Sequence, residues 1–140
     1  MISKNGVIVI AGESLIYPLL KEDVFLESSL SRNAEKDIFN AGYHTYRAIG
    51  ALEDELECVM FVTFYHGVLN MIRLGPRWPG LTGLGWDNWS EENELAIKKL
   101  NDQWLESYLG SPPYQYKWGK IESEFDAKTG GSDITITYFQ

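Results

Sequence analysis

The stretch from Leu56 to Leu74 restricts the fold of this chain more than any other part of the sequence. Leu56 to Tyr65 is apolar at both its even and its odd positions, which predicts a central strand covered on both sides. His66-Gly67 predicts a tight hairpin turn, because glycine adopts positive φ without strain. Val68 to Leu74 predicts the returning strand. An antiparallel hairpin is therefore expected at the centre of the fold.

Other segments have the composition of strands or loops. Further strands are predicted at Val7 to Ile10, Ala41 to Leu52, Tyr114 to Phe125 and Ile134 to Tyr138. Within the second of these, the alternation places Tyr43, Thr45, Arg47 and Ile49 on one face. Residues 21–37 show no clear periodicity and predict a loop with at most one helical turn. A change of phase at Gly119-Lys120 predicts a β-bulge.

One amphipathic helix is predicted between residues 90 and 110. Ser90 is a favourable N-cap, and acidic residues follow it in the first turn. Apolar residues recur at three- and four-residue spacing, and Gly110 fits the position after the helix. The apolar face is predicted to comprise Ile97, Leu100, Trp104, Leu105, Tyr108 and Leu109.

These elements predict an α+β fold. Short hairpin connections favour an antiparallel sheet of about six strands, with the one main helix packed on one face. The length of 140 residues fits one domain, and no linker composition interrupts it. Residues 1–140 are therefore expected to form a single domain.

Charge and cysteine content exclude several classes of protein. Twenty acidic residues against 12 basic ones give a net charge of −8, which argues against general binding to nucleic acid. A single cysteine excludes an intrachain disulfide framework and a four-cysteine zinc site. No signal peptide or membrane span is recognised, so a cytoplasmic protein with a reduced, buried Cys58 is expected.

The motifs of common enzymes are missing from the sequence. There is no metal-binding histidine pair, phosphate-binding loop, dinucleotide fingerprint or G-x-S-x-G element. The two histidines, His44 and His66, are interpreted as a hydrogen-bonded strand residue and a turn residue. We therefore expect no catalytic residues, no metal and no cofactor.

Two clusters of residues in the sequence are candidates for a binding site. The first comprises Glu53, Asp54, Glu55 and Glu57, directly before the central strand. It fits either a solvated turn or a docking face for a basic partner. The second lies in and after the Gly- and Pro-rich loop at 75–85, with Trp78, Trp86 and Asp87 as its proposed contact residues. Its tryptophans either cover the core or anchor a partner.

The C-terminal part resembles a known group of sequences. Its pieces are Trp86 to Glu92 (WDNWSEE), Asp102 to Leu105 (DQWL), Pro112 to Ile121 (PPYQYKWGKI) and Gly131 to Ile136 (GSDITI). This pattern is similar to that of a family of small, mostly uncharacterised bacterial proteins. Proteins of that size class often resemble immunity or accessory proteins of secreted-toxin loci. The resemblance implies a bacterial origin and supplies no catalytic residues.

The leading hypothesis is a protein-binding protein, an immunity-type inhibitor of a bacterial toxin. Acidic residues would meet a basic toxin while aromatic residues anchor the contact, with no nucleic acid or membrane involved. Two alternatives stay open. One is a module that binds a small ligand such as a sugar, and the other is a structural or phage-derived accessory protein.

Overall fold

A computed structural model describes residues 1–10, 14–52, 56–81, 90–126 and 131–139. Two α-helices and nine strands lie within these ranges. The helices are α1 (Glu22–Leu26) and α2 (Glu91–Leu109), and a 3₁₀ helix spans Leu30–Asn33. The strands are β1 (Ile8–Ile10), β2 (Ser14–Ile16), β3 (Glu35–Asn40), β4 (Tyr43–Ala51), β5 (Glu57–Tyr65), β6 (Val68–Pro76), β7 (Tyr114–Gln115), β8 (Gly119–Asp126) and β9 (Gly131–Tyr138).

Seven of these strands form one antiparallel sheet in the order β3-β4-β5-β6-β9-β8-β7, while β1 and β2 pair separately. The predicted hairpin at its centre is confirmed. His66 and Gly67 both have positive φ, 47° and 81°, as the tightest hairpin turn requires. β5 pairs with β4 over nine residues and with β6 on its other side, so its predicted central position is also confirmed.

One face of the large sheet, here called the inner face, forms the core. Ala48, Met60, Leu74 and Ile134 lie side by side in register across four strands, and none is more than 1 % exposed. Alternate residues of a strand point to opposite faces. The inner face therefore takes every second residue from each strand.

Helix α2 covers the inner face over β8 and β9. Its start and end follow the prediction: the Ser90 side chain accepts a hydrogen bond from the backbone N–H of Asn93, and Gly110 follows the last turn with φ of 79°. The hydroxyl of Ser132 on β9 donates to the carbonyl of Glu94 at 2.6 Å. This bond fixes the first turns of the helix to the sheet.

The N-terminal third covers the same inner face over β4 and β5. The ring of Phe25 in α1 lies 5.5 Å from that of Tyr46 and 5.3 Å from that of Phe64, centroid to centroid. A Cβ atom on Gly50 would come within 2.9 Å of the Ile10 side chain. The β1–β2 hairpin and α1 therefore complete the layer that α2 begins.

The strand count differs from the expected six. Residues 35–40, of which 35–37 belong to the predicted loop, form edge strand β3. Val7 to Ile10 contributes to the small hairpin rather than to the large sheet. The predicted bulge at Gly119-Lys120 is a tight turn that separates β7 from β8, with two hydrogen bonds between the backbones of Tyr116 and Gly119. A Cβ on Gly119 would overlap the carbonyl oxygen of Thr137, so only glycine fits this position.

The expectation that β5 is covered on both sides was wrong for the part of the chain that the structure describes. Cys58, Met60, Val62 and Phe64 point inward and are fully buried. On the other face Val59, Phe61 and Tyr65 are only half-buried. Their apolar character reflects an accessible surface rather than a second core.

Two valines on β5 test this one-sided burial. Val62→Ala should lower the free energy of unfolding by roughly 2–3 kcal/mol, because it removes two methyl groups from a packed site. Val59→Ala, on the opposite face, should cost less than about 1 kcal/mol. Urea unfolding of both variants measures the difference. Equal losses would mean that both faces of β5 are buried.

Candidate functional site

The outer face of the large sheet is the most extended accessible feature among the described residues. The contacts of α1, α2 and the β1–β2 hairpin described above reach the inner face, so these elements leave the outer side chains uncovered. We call this surface the open face. It comprises Tyr43, Thr45, Arg47, Ile49, Glu57, Val59, Phe61, Tyr65, Met71, Arg73, Lys120, Glu122, Glu124, Asp126, Asp133, Thr135 and Thr137. Thr63 faces the same way but is buried beneath its neighbours.

The half of the open face over β4, β5 and β6 is aromatic and basic. Tyr43 and Tyr65 pair with ring centroids 4.5 Å apart. The guanidinium of Arg73 lies 5.0 Å from the centre of the Phe61 ring, a cation–π contact. Arg47 is the cross-strand neighbour of Phe61 on the other side. A phenylalanine between two arginines is a composition typical of interface centres.

The half over β8 and β9 is acidic. Glu122, Glu124 and Asp126 occupy alternate positions of β8, and Asp133 lies on the same face of β9. Lys120 reaches Glu122 at 3.0 Å and lowers the pKa of that carboxyl. The pKa of Glu124 is raised because Glu122 lies beside it. Like charges thus crowd one another in this half.

Asp133 lies where the two halves meet. Burial raises the pKa of its carboxyl, while the guanidinium of Arg73 acts in the opposite direction. Arg73 therefore stacks on the ring of Phe61 and acts electrostatically on the carboxylate of Asp133. This arrangement orients a cation at the centre of the open face.

The structure places two of the predicted contact residues and separates them. Glu57 lies at one end of the open face, where its carboxylate is 3.3 Å from Nη1 of Arg77. Trp78 packs against the core from the inner side, and its indole N–H donates to Oδ1 of Asn101 at 2.8 Å. Glu53, Asp54, Glu55, Trp86 and Asp87 lie outside the described residues. No finding tests these assignments as contact residues, so they stay predictions.

The acidic half was not identified from the sequence, although a signal for it was present. Glu122, Glu124 and Asp126 alternate with Ile121, Ser123 and Phe125. That two-residue period places the three acids on one face of a strand. The companion Asp133 could not be assigned to the same patch without the strand pairing.

The two histidines and the cysteine have structural surroundings. Nδ1 of His44 lies 2.8 Å from a carboxylate oxygen of Glu22, and the hydroxyl of Tyr46 donates to the same oxygen at 2.6 Å. Burial, together with Glu22, raises the pKa of Tyr46. His66 occupies the hairpin turn. Both histidines thus have the surroundings predicted for them.

Cys58 is fully buried, and burial raises the pKa of its thiol to about 12. Such a thiol is a poor nucleophile. Within the described ranges, no three or more histidine, cysteine, aspartate or glutamate side chains are grouped to share a metal ion. No helix among these residues has the length and apolar character needed to cross a membrane.

The arrangement is suited to binding a macromolecule. A broad sheet face offers aromatic anchors and two oppositely charged halves, which are the elements of a specific protein contact.

A chain with this architecture occurs in a solved structure. It belongs to the structure "Rhs1-CT in complex with cognate immunity protein RhsI1", with a TM-score of 0.66 and 17 % sequence identity. The alignment covers 98 % of the present chain and 85 % of that chain. At this identity the likeness establishes the shared fold. No protein-family model matches the sequence, and a comparison with curated proteins gave no match.

The inert character of Cys58 is directly testable. At about pH 8.5 the native chain should react with iodoacetamide roughly a thousandfold more slowly than the chain unfolded in urea, because only the thiolate reacts. Mass spectrometry of the alkylated protein gives both rates. Comparable rates in the two states would show that the thiol is accessible and activated.

Proposed function

We propose that this chain is an immunity-type protein that binds a toxin domain and blocks it by covering its active surface. The observation that carries the proposal is the likeness of the whole fold to a chain from the Rhs1-CT–RhsI1 complex. The match extends over 98 % of the present chain, so it is a likeness of the whole fold and not of one motif. Inhibition by occlusion needs no catalysis, and we propose that the chain acts without it in the cytoplasm.

The open face is the surface that we assign to this contact. Interface energy concentrates in a few aromatic and arginine side chains that are desolvated at the centre of the contact. Phe61, Arg47 and Arg73 have that position on the open face. Tyr43 and Ile49 are 41 % and 45 % exposed and add apolar area beside them.

The acidic residues of this chain indicate the charge that we expect on the partner. The net charge of −8 and the acidic half of the open face favour a basic toxin surface. Opposite charges on two proteins steer their encounter and raise the association rate by about 10–10³-fold. Glu57 lies at one end of the face, and we propose Glu53, Asp54 and Glu55, which precede it in the sequence, as further acidic contact residues.

Growth protection tests the proposal. The toxin domain encoded in the same locus is expressed in a sensitive host, with and without this chain, and the complex is then purified by a tag on the toxin. Restored growth together with an equimolar complex is expected. If growth is not restored and no complex forms, the immunity role is wrong. A thermal-shift screen with sugars would then test the small-ligand alternative.

The centre of the open face should dominate affinity. Arg73→Glu should weaken toxin binding at least about tenfold and Phe61→Ala by a similar factor, because each removes a central contact. Lys99→Glu is the matched control, since it makes the same charge change at an exposed position on α2. Calorimetry gives the three dissociation constants. A Lys99→Glu effect equal to that of Arg73→Glu would refute this assignment of the face.

The acidic cluster should act on the rate of association. Replacing Glu53, Asp54, Glu55 and Glu57 together by lysine should slow association with the toxin by roughly tenfold or more and flatten its salt dependence. A control variant carries lysine at Asp23, Glu27, Asp37 and Glu91, which gives the same net charge. Stopped-flow measurements at two salt concentrations compare the variants. Unchanged association in the first variant would remove the cluster from the contact.

A further inference from the structure

The large sheet has two edges with different characters. At one edge, β3 carries a register irregularity between Lys36 and Phe39. Bulges and lysines at an edge hinder the addition of another strand. At the other edge, β7 pairs with β8 over only Tyr114–Gln115. The rest of β8, up to Asp126, extends past the end of β7.

The backbone of this extension is oriented for pairing. The N–H and C=O of Gly119 both bond Tyr116 on the β7 side. In an antiparallel ladder this orientation recurs at every second residue. The backbone groups of Ser123 and Phe125 therefore point outward. No described strand pairs with them there.

A groove of about 390 Å³ lies beside this extension, between β8 and helix α2. Asp102 and Glu106 border it from α2, and Glu122 and Glu124 border it from β8. Adjacent side chains of an added strand would point in opposite directions, toward α2 or toward the open face. Carboxylates lie on both sides of the position that such a strand would occupy.

The basic residues of the groove leave much of this charge uncompensated. Lys98 lies 2.8 Å from Asp102 and Lys120 lies 3.0 Å from Glu122. The groove thus holds four carboxylates against one lining lysine, Lys98, and Glu124 is crowded by Glu122. A cationic side chain from a partner would relieve this repulsion.

We propose that β8 binds an extended, lysine- or arginine-bearing segment of a partner protein by strand addition at Ser123–Phe125. Backbone hydrogen bonds would hold the segment, and the groove carboxylates would select its basic side chains. This contact shares Glu122 and Glu124 with the acidic half of the open face, but it does not rest on the proposed immunity role.

Synthetic peptides test the proposal. The probe is the acetylated and amidated hexapeptide Thr-Lys-Val-Lys-Val-Lys, titrated into the ¹⁵N-labelled full chain. Saturable shifts of the backbone amides of Ser123 and Phe125 are expected. A peptide with glutamate for each lysine should bind at least about tenfold more weakly. The same lysine peptide with a methyl group on every backbone nitrogen should also lose binding at least about tenfold. This peptide retains the side-chain charges but has no backbone N–H donors.

Two protein variants complete the test. Glu106→Lys combined with Glu124→Lys should weaken binding of the lysine peptide at least about tenfold. Asp37→Lys combined with Glu91→Lys is the control for net charge, and it should bind like the unmodified chain.

Three results would overturn the proposal. The first is the absence of saturable shifts at Ser123 and Phe125. The second is equal affinity for the N-methylated peptide, which would show attraction by charge alone. The third is equal affinity of the two double variants, which would show that the groove carboxylates do not select the peptide.

Discussion

The fold depends on a continuous antiparallel ladder from β4 to β8 that turns every second side chain to one side. Ala48, Met60, Leu74 and Ile134 meet in one row of that ladder and exclude water together. Such a surface must be covered, because burial of apolar area is the main favourable term in folding. Two separate parts of the chain, α2 and the N-terminal third, share that task. Both lie on the same face, and among the described residues no helix covers the other face.

One-sided cover explains why binding chemistry collects on the open face. Its side chains are fixed by the strands beneath them, so they lose little freedom when a partner docks. Arg73 is oriented by Phe61 and influences the carboxyl of Asp133. By contrast, Trp78 is engaged by Asn101 on the inner side. Trp78, within the glycine-rich loop, thus packs against the core. The aromatic residues of the strands, such as Phe61 and Tyr43, supply the accessible surface instead.

Local chemistry made the helix, the hairpin and the central strand predictable. Ser90, Gly110 and Gly67 act within a few residues of their own position, so their effect is visible without knowing the fold. β3 was missed because all six of its residues are exposed, which leaves no apolar alternation to recognise. The turn between β7 and β8 was mistaken for a bulge because what separates the strands is the close approach of Gly119 to Thr137. That contact joins residues distant in sequence.

The sequence by itself determined the α+β class, the extent of α2, the central position of β5 and the acidic balance of the chain. Each follows from residue type and short-range periodicity, which act through the chain's own backbone. Tertiary structure alone decided which apolar face of β5 became the core. It also brought Asp133 to the acids of β8 and left the β7 side of Ser123–Phe125 without a described strand beside it. These features depend on strand order and register, which arise from pairing between distant segments.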